Sequence, residues 1–326
     1  MNSASNETMP MSQRNRHEEA EFSGVYPMLL PFYESDGGLA KEPVRQQIEA
    51  AVYYGCHGLA VMGLGTEINK LSYAERRLLV DLTAEILDGR IPLSVTVGEN
   101  TPHGQIEFSR AAIDAGAEWL ILQPPPVTDL SELELQRFFG AVADSVDVPV
   151  GIQNAPRYLG VGLTHIGLKS LHRQHPNISL LKTEDDPLET AVLMQETDGV
   201  FDLFVGRGGL DMLDELAAGA IGIIPGMETL DRTAHAFNVY QSGNDEQARV
   251  IYREIESAIV FLEKSINHYV TYEREVLARR LEITTVRHRL GKELTPFGIE
   301  TATRIAQTLG PLMTTANLQE EHAIHD

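Results

Sequence analysis

From residue 24 onward, short runs of aliphatic and β-branched residues alternate with longer stretches whose apolar positions recur every three to four residues. The apolar runs predict eight strands, over residues 24–31, 58–63, 92–98, 119–123, 149–154, 179–183, 202–206 and 220–225. Polar residues do not alternate with apolar ones inside these runs, which marks strands covered on both faces, as parallel strands are. The stretches between them predict helices over 43–54, 73–87, 102–115, 131–145, 164–173 and 187–195, with a short one over 210–217. Eight such units predict an α/β fold, a parallel sheet closed into a (β/α)8 TIM barrel.

Local signals agree with this register. Ser72 followed by Tyr73-Ala74-Glu75 is a capping-box pattern that starts the second helix. Gly55, Asp88-Gly89 and Ala115-Gly116 stand where helices should stop. Pro92 and Pro149 open strands, where a missing N–H is tolerated. After Pro225 the strand pattern ceases, and residues 229–241, 246–267, 270–280 and 295–309 read as helices, with Gly243 and Gly291 as breaks. The expected organisation is a disordered extension over 1–22, a catalytic barrel over 23–227, a C-terminal helical region over 228–312 and a flexible tail over 313–326. No Pro/Gly/Ser-rich linker separates barrel from helices, so the two are expected to move together.

Charge and cysteine content narrow the function. With 47 Asp and Glu against 26 Lys and Arg, the net charge of −21 repels nucleic-acid backbones and anionic membranes. An anionic substrate then needs donors placed locally. Cys56 is the only cysteine, which excludes an intrachain disulfide and a multi-cysteine metal site and suits a reducing cytoplasm. Its neighbour His57 raises the idea of a thiol nucleophile, but a buried turn ahead of a strand is the plainer reading. No run reaches the ~18 apolar residues of a membrane span. The histidines fall before strands or on helices without clustering, so neither a metal nor another cofactor is expected.

In a barrel of this kind the chemistry lies at the carboxyl ends of the strands. The polar candidates there are Gly65-Thr66-Glu67 after strand two, Glu99-Asn100-Thr101 after strand three, Gln123 after strand four, Gln153-Asn154 after strand five, Lys182 with Thr183 and Glu184 on strand six, Arg207 after strand seven and Gly226 after strand eight. Of the six lysines only Lys182 interrupts an apolar strand run, Ile178-Ser179-Leu180-Leu181-Lys182. Burial disfavours the charged form of an amine and frees the neutral amine to attack a carbonyl. The alternative is a structural lysine paired with Glu184 or Asp185, and the residues alone leave both open.

Several blocks, in order, carry a resemblance. They are Gly24-Val25, Pro31-Phe32 and Asp36-Gly37; Gly58-Leu59 leading into Gly63 through Glu67 and then Leu71-Ser72; and Gly89-Arg90-Ile91-Pro92. Further on come Asp114-Ala115-Gly116-Ala117, Pro149, Asn154-Ala155-Pro156 with Gly160, Lys182, and Ala218-Gly219-Ala220-Ile221-Gly222. With these the chain resembles the dihydrodipicolinate synthase/N-acetylneuraminate lyase family over about residues 24–309. The resemblance implies a barrel with a C-terminal helical region, assembly as a homo-oligomer (a tetramer of paired dimers, or a dimer), and an imine between Lys182 and pyruvate or a related 2-oxo acid. It implies a lyase or aldolase, with a dehydratase of a deoxy-2-oxo sugar acid, a 4-hydroxy-tetrahydrodipicolinate synthase and a weakened oxo-acid-binding protein as alternatives.

Two departures stand out. The family's Gly-Thr-Thr-Gly-Glu loop reads Gly63-Leu64-Gly65-Thr66-Glu67 here, so Gly65 amides and Thr66 are the expected carboxylate donors. The family's Tyr-Asn on strand five reads Gln153-Asn154, and an amide cannot titrate near neutrality. Glu184, on the same side of the strand as Lys182, and Tyr158 on the following loop are the candidate proton carriers. Asn154 and Arg207 are expected to bind substrate, Arg207 by clamping a distal acid or otherwise pairing with Asp211 or Asp214.

Overall fold

A computed structural model of the chain describes residues 20–127, 129–289, 291 and 293–314. The expected tail beyond residue 314 and nearly all of the expected extension lie outside the described residues.

Eight parallel strands form the centre: β1 (Gly24–Val25), β2 (Leu59–Val61), β3 (Leu93–Val97), β4 (Trp119–Leu122), β5 (Val150–Gln153), β6 (Ile178–Thr183), β7 (Asp202–Val205) and β8 (Gly222–Ile223). Each pairs with its successor from β2 to β8, and β1 pairs with β8. Met28, bridged to both Ala60 and Gly226, carries the ladder from β8 across to β2 and closes the barrel. Strand β1 is shorter than the apolar run predicts. Pro27 and Pro31 lack the N–H that a regular ladder needs, so pairing continues only through isolated bridges.

The strands alternate with α1 (Lys41–Tyr53), α2 (Tyr73–Leu87), α3 (Pro102–Ala115), α4 (Glu132–Ala143), the single turn α5 (Pro156–Leu159), α6 (His165–Gln174), α7 (Pro187–Glu196) and α8 (Met212–Ala218). The capping box is formed: Ser72 Oγ accepts from the Glu75 amide and Glu75 reaches back to the Ser72 amide. Asp88 and Gly116 end their helices with positive φ, as a C-terminal stop requires.

Alternation along each strand sorts two cores. Leu59, Val61, Val95, Leu120, Leu122, Ile152, Leu181 and Leu203 face outward into the layer beneath the helices. Tyr26, Met28, Ala60, Trp119, Ile121, Leu180, Phe204 and Ile224 fill the interior. Phe22 joins this inner group, stacked on Trp119 at 5.9 Å, so the chain is ordered before the expected boundary at residue 23. Gly58 and Gly222 make room for the aromatic filling: a Cβ on either would lie closer than 3.0 Å to the ring of Tyr26 or Phe204.

The C-terminal region is α9 (Leu230–Gln241), α10 (Asp245–Leu262), α11 (Ile266–Arg280) and α12 (Pro296–Leu309). The break expected after residue 267 falls earlier, because Ser265 turns extended and its hydroxyl caps the His268 amide at 3.2 Å. Apolar spacing continues from Phe261 to Ile266 across the break, which hides its place from the pattern. Of two buried arginines of α11, one binds this region together and the other binds it to the barrel. Arg280 pairs with Asp231 at 2.8 Å and donates to the Gly310 carbonyl at 2.7 Å, while Arg274 pairs with Glu67 in the loop after β2. Burial opposes the charge on Asp231, but Arg280 outweighs it and lowers the carboxyl below its ordinary value.

Candidate active site

Strand β6 points Leu180, Lys182 and Glu184 to the barrel interior in succession. Leu180 belongs to the apolar filling, and Lys182 stands one layer above it, only 3% exposed. Its ammonium pairs with Glu184. The other Glu184 oxygen accepts the Arg207 amide at 2.6 Å, which ties the carboxylate to the end of β7. A row of amides holds the remaining side. Gln153 donates to Glu184 at 3.3 Å, Gln123 donates to Gln153 at 2.8 Å, and Gln105 of α3 donates to the Gln123 carbonyl at 2.8 Å. A fixed, water-poor lysine–carboxylate pair is the result, with Gln153 as a brace for Glu184 and not itself on the cavity surface.

The cavity over Lys182 is lined on the barrel side by Leu64, Gly65, Tyr158, Glu184 and Arg207. Its volume is about 50 Å³, which restricts it to a small occupant. Among the described residues no acceptor takes the backbone N–H of Leu64 or Gly65, both of which line the cavity. Thr66 itself is fully buried: its hydroxyl donates to the Leu29 carbonyl at 2.8 Å and accepts the Met62 amide at 3.0 Å. That side chain holds the loop and does not line the cavity.

Asn154 is likewise engaged elsewhere. Its amide exchanges bonds with the Leu163 backbone at 2.8 and 3.1 Å, pinning the turn that carries Tyr158. Arg207 lines the cavity while its Nη1 donates to the Asp185 carbonyl at 3.0 Å and pairs with Asp211 at 3.4 Å, one of the two ion-pair partners expected for it. Tyr158 is partly exposed, and burial, then Glu263 and Glu184, raises its phenol above the ordinary value. Gly226 stands where a Cβ would strike the Glu228 carboxyl and the Tyr269 hydroxyl. Cys56 is buried and burial pushes its thiol up, the opposite of what a nucleophile needs. Among the described residues no group of three or more His, Cys, Asp or Glu is arranged to hold a metal ion.

The opposite wall comes from the C-terminal region, which strand-end reasoning missed. Glu263, Ile266 and Tyr269 face Lys182 across the cavity. Burial, reinforced by Glu184, raises Glu263 to about 7. Only for Glu228, which follows β8 by a few residues, did a strand-end position offer a signal.

The model of the dihydrodipicolinate synthetase family matches residues 21–272. The 4-hydroxy-tetrahydrodipicolinate synthase of Methanoculleus marisnigri is 28% identical over 240 residues, 72% of this chain and 81% of that protein. YagE of Escherichia coli K12, a prophage protein of the dihydrodipicolinic acid synthase family solved in complex with pyruvate, superposes with a TM-score of 0.80 at 23% identity, over 89% of this chain and 99% of that one. The sialic acid aldolase of Ruminococcus gnavus gives a TM-score of 0.80 at 19% identity, over 89% and 97%.

Proposed function

The chain belongs to the dihydrodipicolinate synthetase family and is an enzyme of the lyase and aldolase type, and from that premise we propose that it works on a 2-oxo acid through an imine at Lys182. The observation that carries this reading is the position of Lys182, a buried amine on β6 opening into a small cavity beside a carboxylate braced from three sides.

The chemistry follows from that arrangement. Glu184 accepts a proton from the Lys182 ammonium, and the neutral amine attacks the C2 carbonyl of the substrate. The proton held on Glu184 returns to the departing hydroxyl, which leaves as water. The iminium then acts as an electron sink for a bond to C3 that breaks or forms. The amides of Leu64 and Gly65 suit the substrate carboxylate, while Arg207 and Tyr158 stand toward its distal part. Local donors of this kind are required because the overall charge is −21. YagE is held in complex with pyruvate, and pyruvate is of the size this cavity suits.

Incubation with pyruvate followed by borohydride reduction tests the reading. Intact mass should rise by one reduced pyruvate adduct, mapped to Lys182 and absent from Lys182→Met. An unmodified, folded protein across a panel of 2-oxo acids would remove the proposed nucleophile.

The proposal extends to assembly as a homo-oligomer. Ile166 of α6 and Leu188 of α7 are 78% and 80% exposed and lie along one surface with Val192, an apolar patch suited to a second copy. Sedimentation should show a species larger than one chain that Leu188→Glu diminishes.

A further inference from the structure

The Schiff-base step leaves unused a polar group just behind the cavity wall. Glu228, following β8, and Glu273 of α11 are both fully buried, and none of their four carboxyl oxygens accepts a hydrogen bond of normal geometry among the described residues. The two carboxyls act on each other. Arg280 faces Glu228 but commits its guanidinium to the Glu228 carbonyl and to Asp231. Arg274 faces Glu273 but commits to Glu67. With no cation bonded to either carboxylate, double ionisation is unfavourable and the pair retains a proton. Burial is the main cause that raises both carboxyls above the ordinary range; Glu228 further disfavours the charge on Glu273, while Glu273 favours the charge on Glu228, as a proton held on Glu273 and shared with Glu228 requires.

Tyr269 connects this store to the cavity. It lies one helical turn before Glu273 on α11, its phenol beside that carboxyl, and it lines the cavity together with Lys182. Gly226 lets the two groups meet, since a side chain there would occupy the space of the Glu228 carboxyl and the Tyr269 hydroxyl. Glu228, Glu273 and Glu263 all face the Tyr269 phenol, which burial keeps protonated at rest.

We propose that Tyr269, backed by Glu273 and Glu228, is the proton relay of this site and serves the carbon next to the imine, in the place left untitratable by Gln153. The proposal rests on the Schiff-base reading. When the iminium becomes an enamine, the C3–H bond breaks and its electron pair forms the new C2–C3 double bond. The C=N π electrons move to nitrogen. The released proton goes to Tyr269 Oη as the Tyr269 proton passes to Glu273, and the acid pair gains one proton. Reversal protonates C3. In cleavage the same route carries the hydroxyl proton of the departing carbonyl fragment, which later arrives at C3.

Two readouts with pyruvate separate the relay from the imine. Borohydride trapping at Lys182 reports imine formation, and proton NMR in D2O reports exchange of the pyruvate methyl, which requires the enamine. Tyr269→Phe should trap pyruvate within about threefold of the unaltered enzyme yet lose methyl exchange by 100-fold or more, the scale of general acid–base catalysis. Glu273→Gln and Glu228→Gln should keep trapping, slow exchange and change its pH profile, which a structural contact alone would not do. If the unaltered enzyme forms no adduct, both readings fall. If adduct forms and exchange in Tyr269→Phe and Glu273→Gln equals the unaltered rate, the relay alone falls. Parallel loss of trapping and exchange in folded variants overturns it as well, because these residues would then only shape the cavity.

Discussion

Replacing Glu263 by Gln should abolish a loss of substrate affinity that the unaltered enzyme shows as pH rises through neutrality. Glu263 faces Lys182 from the far side of the cavity and is raised from 4.5 to about 7, by burial first and by the Glu184 carboxylate second. A shift of that size means that the site opposes a negative charge there by about 3 kcal/mol. Below pH 7 the side chain is neutral and an anionic oxo acid enters unopposed; above it, the ionised carboxylate repels the substrate carboxylate. If about half of that energy acts on the substrate, the half-saturating pyruvate concentration rises about tenfold between pH 6 and pH 8. The assay is the extent of borohydride trapping as a function of pyruvate concentration at pH 6, 7 and 8, at fixed ionic strength. Glu263→Gln should give the same half-saturating value at all three. An equal rise in the variant, or no rise in the unaltered enzyme, would show that Glu263 does not set the charge of the cavity.

Three other outcomes follow from packing and burial. Gly222→Ala places a methyl closer than 3.0 Å to Phe204, its direct partner in the ladder, whose ring is wedged between Tyr26 and Trp119; we expect a net loss of about 1–2 kcal/mol by thermal unfolding, relieved by Phe204→Leu. Melting at or above the unaltered temperature would contradict it. Thr66→Val leaves the Leu29 carbonyl and the Met62 amide unsatisfied, so stability should fall by about 2–4 kcal/mol while trapping per folded molecule changes little; the reverse pattern would give Thr66 a substrate contact. Glu215, buried and raised to about 8 by desolvation, is protonated in the fold well above its unfolded value, so its stability contribution is complete below about pH 4.5 and declines as pH climbs to about 8. Glu215→Gln should flatten that decline, by on the order of 4 kcal/mol at its upper end, in unfolding curves taken across the window.

Periodicity alone determined the alternation of strands and helices, the capping box at Ser72 and the place of Lys182 at the end of an apolar run, because these depend on neighbours in the chain. Counting by twos along β6 likewise put Glu184 on the side of Lys182, where the ion pair now lies. The shortened β1 and the exact place of the break before α11 escaped, since ladder pairing and capping are settled by groups that apolar spacing does not record. Only the tertiary structure turned Thr66 and Asn154 into braces for their loops. The same residue types would bind substrate if rotated a few ångströms, and rotation is decided by the backbone groups they meet. It also brought Glu263 and Tyr269 from the C-terminal region to the cavity of a lysine more than eighty residues earlier, with Glu273 behind Tyr269. On a helix these read as ordinary polar positions. Their burial, and the altered proton affinity that comes with it, exist only once the barrel mouth is covered.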